Sequence, residues 1–214
     1  MTLVPFEISL FCVSLLTLVI KEAVGHGMML EPVSRSSRWR FDPTAPKNYD
    51  DNQLFCGGFY VQYYINGGKC GVCGDAFDAP HPQENENTGT YGKGAIVAEY
   101  LNGSVIDVHI KLTANHKGYF NYSLCELVNP DLPEPGEECF FPLVLEDNTS
   151  QYSVDSTEFQ ILNRVRLPNI TCPRCVLRWS YTAGNNWGDC GNGTGAIGCG
   201  PQENFVNCAD ISII

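Results

Sequence analysis

The chain has 214 residues, 17% of them charged, and a formal net charge of −11. That balance excludes a nucleic-acid binder, because phosphates reward clustered Lys and Arg, and it disfavours docking on anionic membranes. A neutral partner would not be repelled.

The first element in chain order is an apolar run, residues 10–20, short for a bilayer span. Small residues, Ala23 and Gly25, then occupy the two positions a signal peptidase reads. Residues 1–25 therefore read as a secretory signal, although the usual early positive charge is missing, and His26 reads as the first residue of an extracellular chain. An uncleaved membrane anchor is the alternative. Residues 26–214 suit one domain with a proper core, expected to be monomeric. They show no internal repeat, convincing linker, second span or lipid-anchor signal.

Cysteine usage agrees with export. Of the 11 cysteines, Cys12 leaves with the signal. The others, Cys56, Cys70, Cys73, Cys125, Cys139, Cys172, Cys175, Cys190, Cys199 and Cys208, form an even set, whose default in an oxidising compartment is disulfides. Roughly 900 pairings are open by simple counting. The Cys70/Cys73 and Cys172/Cys175 pairs suggest a structural zinc as an alternative, but the gap between them is longer than compact zinc modules use. Sequons starting at Asn102, Asn121, Asn148, Asn169 and Asn192 fit a glycosylated extracellular protein with those positions on its surface.

Residues 38–82 are rich in Gly, Pro, Asn, Tyr and Cys with no sustained period, so they read as loops and short helical turns stapled by disulfides, a decoration rather than a core. Next come a short apolar run at 95–101 and a hairpin signal at Asn102-Gly103, then a strand at 104–114. In that strand Ile106, Val108, Ile110 and Leu112 alternate with Asp107, His109 and Lys111, so one face is buried. Further strands are expected at 119–124, 158–167, 175–182 and 205–213, with Leu177, Trp179 and Tyr181 sharing a face. Short alternating strands without long helical periodicity predict an all-β, immunoglobulin- or fibronectin-like antiparallel β-sandwich.

The four histidines separate by context. His81, between prolines, reads as an exposed loop residue, and His109 faces water on its strand. His116 follows the strand end, where a sandwich presents its loops; alone it reads as an ordinary loop histidine. His26 changes that. An N-terminal histidine offers an α-amine, with a reference pKa near ~7.7–8.0, together with an imidazole. Adding a second imidazole completes a T-shaped set of three nitrogens. Such tetragonal nitrogen sites suit Cu(II), whereas zinc prefers a tetrahedron with a fourth strong ligand.

This arrangement resembles the histidine brace of the lytic polysaccharide monooxygenases. The likeness extends over essentially the whole of 26–214. His26-Gly27 followed by Pro32-Val33-Ser34-Arg35, Cys56-Gly57-Gly58, Gly68-Lys69-Cys70-Gly71-Val72-Cys73-Gly74-Asp75, Thr113-Ala114-Asn115-His116 and Asn207-Cys208-Ala209-Asp210 are similar to auxiliary activity family 15, common in invertebrates. The resemblance implies that His26 supplies the amine and one imidazole, and His116 the second. It makes Ala114 the small residue over one axial side of the copper and Phe205 the buried axial aromatic. Many relatives carry Tyr there, so Phe205 departs from that version; Phe neither coordinates nor hydrogen-bonds. Glu203 matches by spacing a Gln or Glu that orients the oxygen species, the plain alternative being an exposed carboxylate.

The resemblance further implies one copper cycling between Cu(II) and Cu(I), an external reductant, and peroxide or oxygen as co-substrate. The reaction hydroxylates a C1–H or C4–H of a glycosidic link in an insoluble polysaccharide, chitin first and cellulose second. Exposed Tyr60, Tyr63, Tyr64 or Trp39 are candidates for stacking on sugars, although tyrosine-rich loops also serve packing. No paired-carboxylate logic of a hydrolase, Gly-x-Ser-x-Gly elbow or His-Glu-x-x-His motif is present. The competing class is a non-catalytic copper-binding or chitin-binding matrix protein.

Overall fold

A computed structural model describes residues 26–214. The signal assigned to 1–25 lies outside the described residues. Eleven strands form: β1 (His26–Glu31), β2 (Ala98–Tyr100), β3 (Val105–Ala114), β4 (Tyr119–Glu126), β5 (Phe141–Leu145), β6 (Tyr152–Ser153), β7 (Gln160–Arg166), β8 (Cys172–Thr182), β9 (Trp187–Asp189), β10 (Gly195–Ile197) and β11 (Asn204–Ile213). Short helical turns at Arg38–Arg40, Val61–Ile65 and Glu137–Cys139 complete the elements.

The strands run β1-β3-β7-β5-β4-β8-β11-β2, with β6 on β4. Strand β5 joins the two layers, because Leu143 pairs with Tyr122 of β4 while Leu145 pairs with Val165 of β7. The sheet therefore curls over itself into a sandwich. Alternation explains which faces meet. Ile106, Val108, Ile110 and Leu112 of β3 are buried together with Phe120, Leu124, Leu177, Trp179, Tyr181, Phe205 and Ala209 from the facing layer. Burying a side chain of this size fully contributes about 1.5–3 kcal/mol. A polar pair bridging the two layers is matched, since the Tyr122 hydroxyl of β4 donates to Asn163 Oδ1 of β7 at 2.7 Å.

Two expectations need correction. The run at 95–101 does not form a hairpin with β3. Its strand, β2, lies parallel to the end of β11, pairing Ala98 with Ile211. The Asn102-Gly103 turn instead crosses between layers, with Gly103 N–H donating to the Pro168 carbonyl and Asn102 N–H to Ile214. The segment 38–82 is more than decoration. Val72 and Cys73 pack with Cys125, Leu127, Phe140, Val176 and Cys208 as a second core on the outer face of the β4-β8-β11 layer.

All ten cysteines among the described residues pair, as Cys56–Cys70, Cys73–Cys208, Cys125–Cys139, Cys172–Cys175 and Cys190–Cys199. Both Cys-x-x-Cys motifs are thus consumed by disulfides and leave no thiolate for zinc. Beneath the second core, Arg35 is buried and donates to both Asp210 oxygens and to Glu134 Oε1 at 2.7 Å. Breaking such a buried set from one side costs about 3–5 kcal/mol.

Candidate metal centre

Two strand ends meet at one rim of the sandwich. His26 opens β1 and pairs with Ala114 at the end of β3, two residues before His116. The approach is close because residue 27 is glycine. A Cβ there would stand 2.7 Å from Leu112 and 2.9 Å from Trp179, both buried, so a larger residue would push β1 outward. The Gly27 N–H donates to the Asn52 carbonyl at 3.0 Å, and Asn52 Nδ2 donates to Thr113 Oγ1 at 2.9 Å.

The loop carrying His116 is held from three sides. Asn115 Nδ2 donates to the carbonyls of Asp155 and Glu158, while its Oδ1 accepts from the Lys117 N–H at 2.7 Å. The His116 N–H donates to the Tyr181 hydroxyl at 3.0 Å, and the His116 carbonyl accepts from Gly184 at 2.9 Å. Gly118 has φ +84°, with the Thr182 carbonyl where a Cβ would sit, so the loop reverses there only with glycine. Burial pushes the Tyr181 phenol up to about 12. The hydrogen bond from His116 works the other way, and the nearby Glu203 charge adds to the rise.

The residues singled out from sequence converge here. Phe205 is fully buried, its ring 6.5 Å from that of His26 and stacked at 6.2 Å on Phe55 and 5.7 Å on Tyr181. Glu203 sits immediately before β11, and its Oε2 lies 3.8 Å from His116 Nδ1; both side chains are almost covered, at 12% and 10% exposure. Ala114 is half-buried beside His26. His81 and His109 do not join the group: His81 is paired with Glu86 at 2.8 Å, and His109 lies between Glu31 and Leu162 across its strand neighbours.

The donor set fits a metal held by nitrogen. His116 Nδ1 is buried without a hydrogen-bond partner among the described residues. Burial, and secondarily the charge of His26, holds the His116 imidazole below its ordinary range, favouring the neutral ring that ligates. Among the described residues no three His, Cys, Asp or Glu side chains converge as a metal set. A main-chain nitrogen added to the two imidazoles would complete a three-nitrogen set of the kind that suits Cu(II).

Beside Glu203 a groove opens, lined by Phe55, Phe59, Tyr60, Tyr64, Asn185, Asn186 and Trp187. Tyr60 and Tyr64 stack at 5.3 Å and are 65% and 71% exposed, and Trp187, on the β9–β10 hairpin, is 71% exposed. Of the four stacking candidates from sequence, Tyr60 and Tyr64 face this groove. Tyr63 is half-buried, its hydroxyl donating to the Gln202 carbonyl, and Trp39 packs edge-on against Tyr49. Trp187 was missed by sequence reading because β9 and β10 have three residues each, too few for a period. Asn115 and Tyr181 were missed as supports, since their partners are distant in the chain.

The all-β sandwich thus brings two histidines together on its rim, beside an open groove lined with aromatic rings. The family model described as lytic polysaccharide mono-oxygenase, cellulose-degrading, matches residues 26–211. The structure of a lytic polysaccharide monooxygenase of auxiliary activity family 15 from Thermobia domestica, in the Cu(I) state, shares 44% identity. It aligns over 88% of this chain and 98% of its own, with a TM-score of 0.85. The chain belongs to the lytic polysaccharide monooxygenases, in auxiliary activity family 15, and is a copper-dependent oxidoreductase rather than a plain binding protein. A chitin binding domain from Burkholderia pseudomallei aligns over 89% of this chain and 100% of its own at 14% identity, with a TM-score of 0.50; that likeness concerns the fold. A search of curated proteins gives no match.

Proposed function

We propose that the protein is secreted, that the exported chain begins at His26, and that it oxidatively cleaves crystalline chitin, with cellulose as the second substrate. The His26 α-amine and imidazole, with the His116 imidazole, would hold the copper. Bound copper supplies one-electron chemistry that activates peroxide or oxygen once an external reductant has acted. Phe205 would back the site with a buried apolar ring that offers the metal no donor, and Ala114 would keep the rim narrow. Glu203, beside His116, would accept or donate a hydrogen bond to the oxygen co-substrate as it approaches.

The observation that carries this reading is the meeting of His26 and His116 beside a groove walled by exposed aromatic rings. Ring faces stack on sugars, and the side-chain amide of Asn186 in the same groove offers a donor and an acceptor suited to an acetamido group, which favours chitin. A neutral polymer also suits the acidic surface. The test is to incubate copper-loaded protein beginning at His26 with β-chitin, and separately with cellulose, adding ascorbate and peroxide. Oxidised chitin oligosaccharides are expected, in excess over cellulose products. Products from cellulose but not chitin would overturn the substrate choice, and products from neither would overturn the proposed reaction.

A further inference from the structure

The five sequons are distributed unevenly over the fold. Asn102 and Asn169 are exposed at the end of the sandwich away from the histidines, where Gly103 N–H bonds the Pro168 carbonyl. Asn148 is exposed in the turn after β5. Asn121 lies within β4, half-buried, with Nδ2 donating to the Ser150 carbonyl, and its sequon hydroxyl, Ser123, accepts from Arg178. Asn192 differs from all of these. It stands at the tip of the β9–β10 hairpin, whose strand β9 supplies Trp187 to the groove wall.

The tip is open. Residues 191–194 are exposed, and nothing lies within 4 Å of where a side chain would start on Gly191 or Gly193. Asn192 Oδ1 accepts from Thr194 N–H at 3.1 Å and Thr194 Oγ1 at 2.6 Å, joining the two sequon residues directly. The hairpin is its own two-stranded sheet, tied back by Cys190–Cys199 and by Gln202, which accepts from Asn186 N–H and donates to its carbonyl. A load at the tip therefore does not disturb the main sandwich.

We propose that Asn192 carries an N-linked glycan that extends the Trp187 wall of the groove and acts as a spacer against flat polysaccharide surfaces. An N-glycan is bulky and hydrated. Rooted at the tip of the hairpin whose base carries Trp187, paired with Ile197, it weakens adsorption of the rim to a crystal face while leaving the groove open to a single chain. This rests on the secretion proposed above.

The test uses protein secreted from insect cells. Enzymatic release of N-glycans in heavy-oxygen water, followed by peptide mapping and N-terminal sequencing, marks each occupied Asn. The expected result is occupancy at Asn192, with Asn192→Gln and Thr194→Ala each adsorbing about threefold more tightly to crystalline β-chitin and unchanged toward soluble chitohexaose. An Asn169→Gln control should adsorb like the parent. A bare Asn192 with glycans on Asn102 or Asn169 overturns the proposal by itself. Five bare sites on a chain that does not begin at His26 overturn it together with secretion. Equal adsorption of parent and both variants, with Asn192 occupied, overturns the spacer role.

Discussion

The histidine rim and the groove wall are neighbours, yet they are held in opposite ways. The rim is interlocked with the main core: Gly27 lies against Trp179, the Tyr181 phenol sits under His116, and Asn115 reaches across to 155–158. The β9–β10 hairpin forms its own small sheet, stapled by a disulfide of sequence separation 9. On loop-closure entropy such a link contributes about 2.5 kcal/mol, against about 5 kcal/mol for a separation of 135, the span closed by Cys73–Cys208. The position of the two histidine side chains is therefore coupled to global stability, whereas the groove wall can vary with little consequence for the fold.

The sharpest way to break this contrast is Gly27→Ala. Overpacking against Leu112 and Trp179 should cost about 1–3 kcal/mol in urea unfolding of the metal-free protein, and displacement of His26 should weaken copper binding. An unchanged midpoint would mean the rim is softer than its contacts indicate.

Asn115→Ala should have a smaller effect on folding, about 1–2 kcal/mol, but a larger one on metal. Copper affinity should fall about 10–100-fold, as for other residues that orient a ligand without touching the ion. Electron paramagnetic resonance of the Cu(II) form would show an altered signal if His116 has moved. A normal signal with normal affinity would remove Asn115 from the support of the site.

Acid should act on the rim more mildly. Because burial and His26 hold His116 below the ordinary imidazole range, the folded state resists protonation there more than the unfolded chain. The metal-free protein should keep this contribution above about pH 6.5 and lose it progressively below. His116→Gln should flatten that part of the profile between about pH 8 and 5, read from urea midpoints.

The smallest stability change is expected on the wall. Trp187→Ala should leave the unfolding free energy within about 0.5 kcal/mol, as for other exposed positions. Adsorption to β-chitin should nevertheless drop, measured as bound fraction at fixed polymer. A large loss of stability would show that the hairpin supports the sandwich after all.

What sequence made legible follows the same division. Strand β3 could be read from Ile106, Val108, Ile110 and Leu112, and β8 from Leu177, Trp179 and Tyr181, since one-sided burial imposes a period of two. Strand β1, His26-Gly27-Met28-Met29-Leu30-Glu31, has no such alternation and was not anticipated as a strand. The parallel pairing of β2 with β11 was hidden because Asn102-Gly103 looks the same whether a turn closes a hairpin or crosses between layers. At the proposed site, His26, His116, Ala114, Phe205 and Glu203 could be named from the segments that carry the family resemblance, and the fold brings them to one rim. The supports were not: Tyr181 is 65 residues from His116, and the partners of Asn115 are 40 and 43 residues away. The second core under 38–82 was hidden likewise, because Cys73 meets Cys208 only through folding.

The central claim is that a main-chain nitrogen at residue 26 joins the imidazoles of His26 and His116 around one copper ion. Isothermal calorimetry with Cu(II) on protein beginning at His26, and on the same protein bearing one additional residue before it, addresses this directly. Converting the amine to an amide removes a chelating nitrogen, so affinity should fall by about a hundredfold or more. Equal affinities in the two proteins would contradict it.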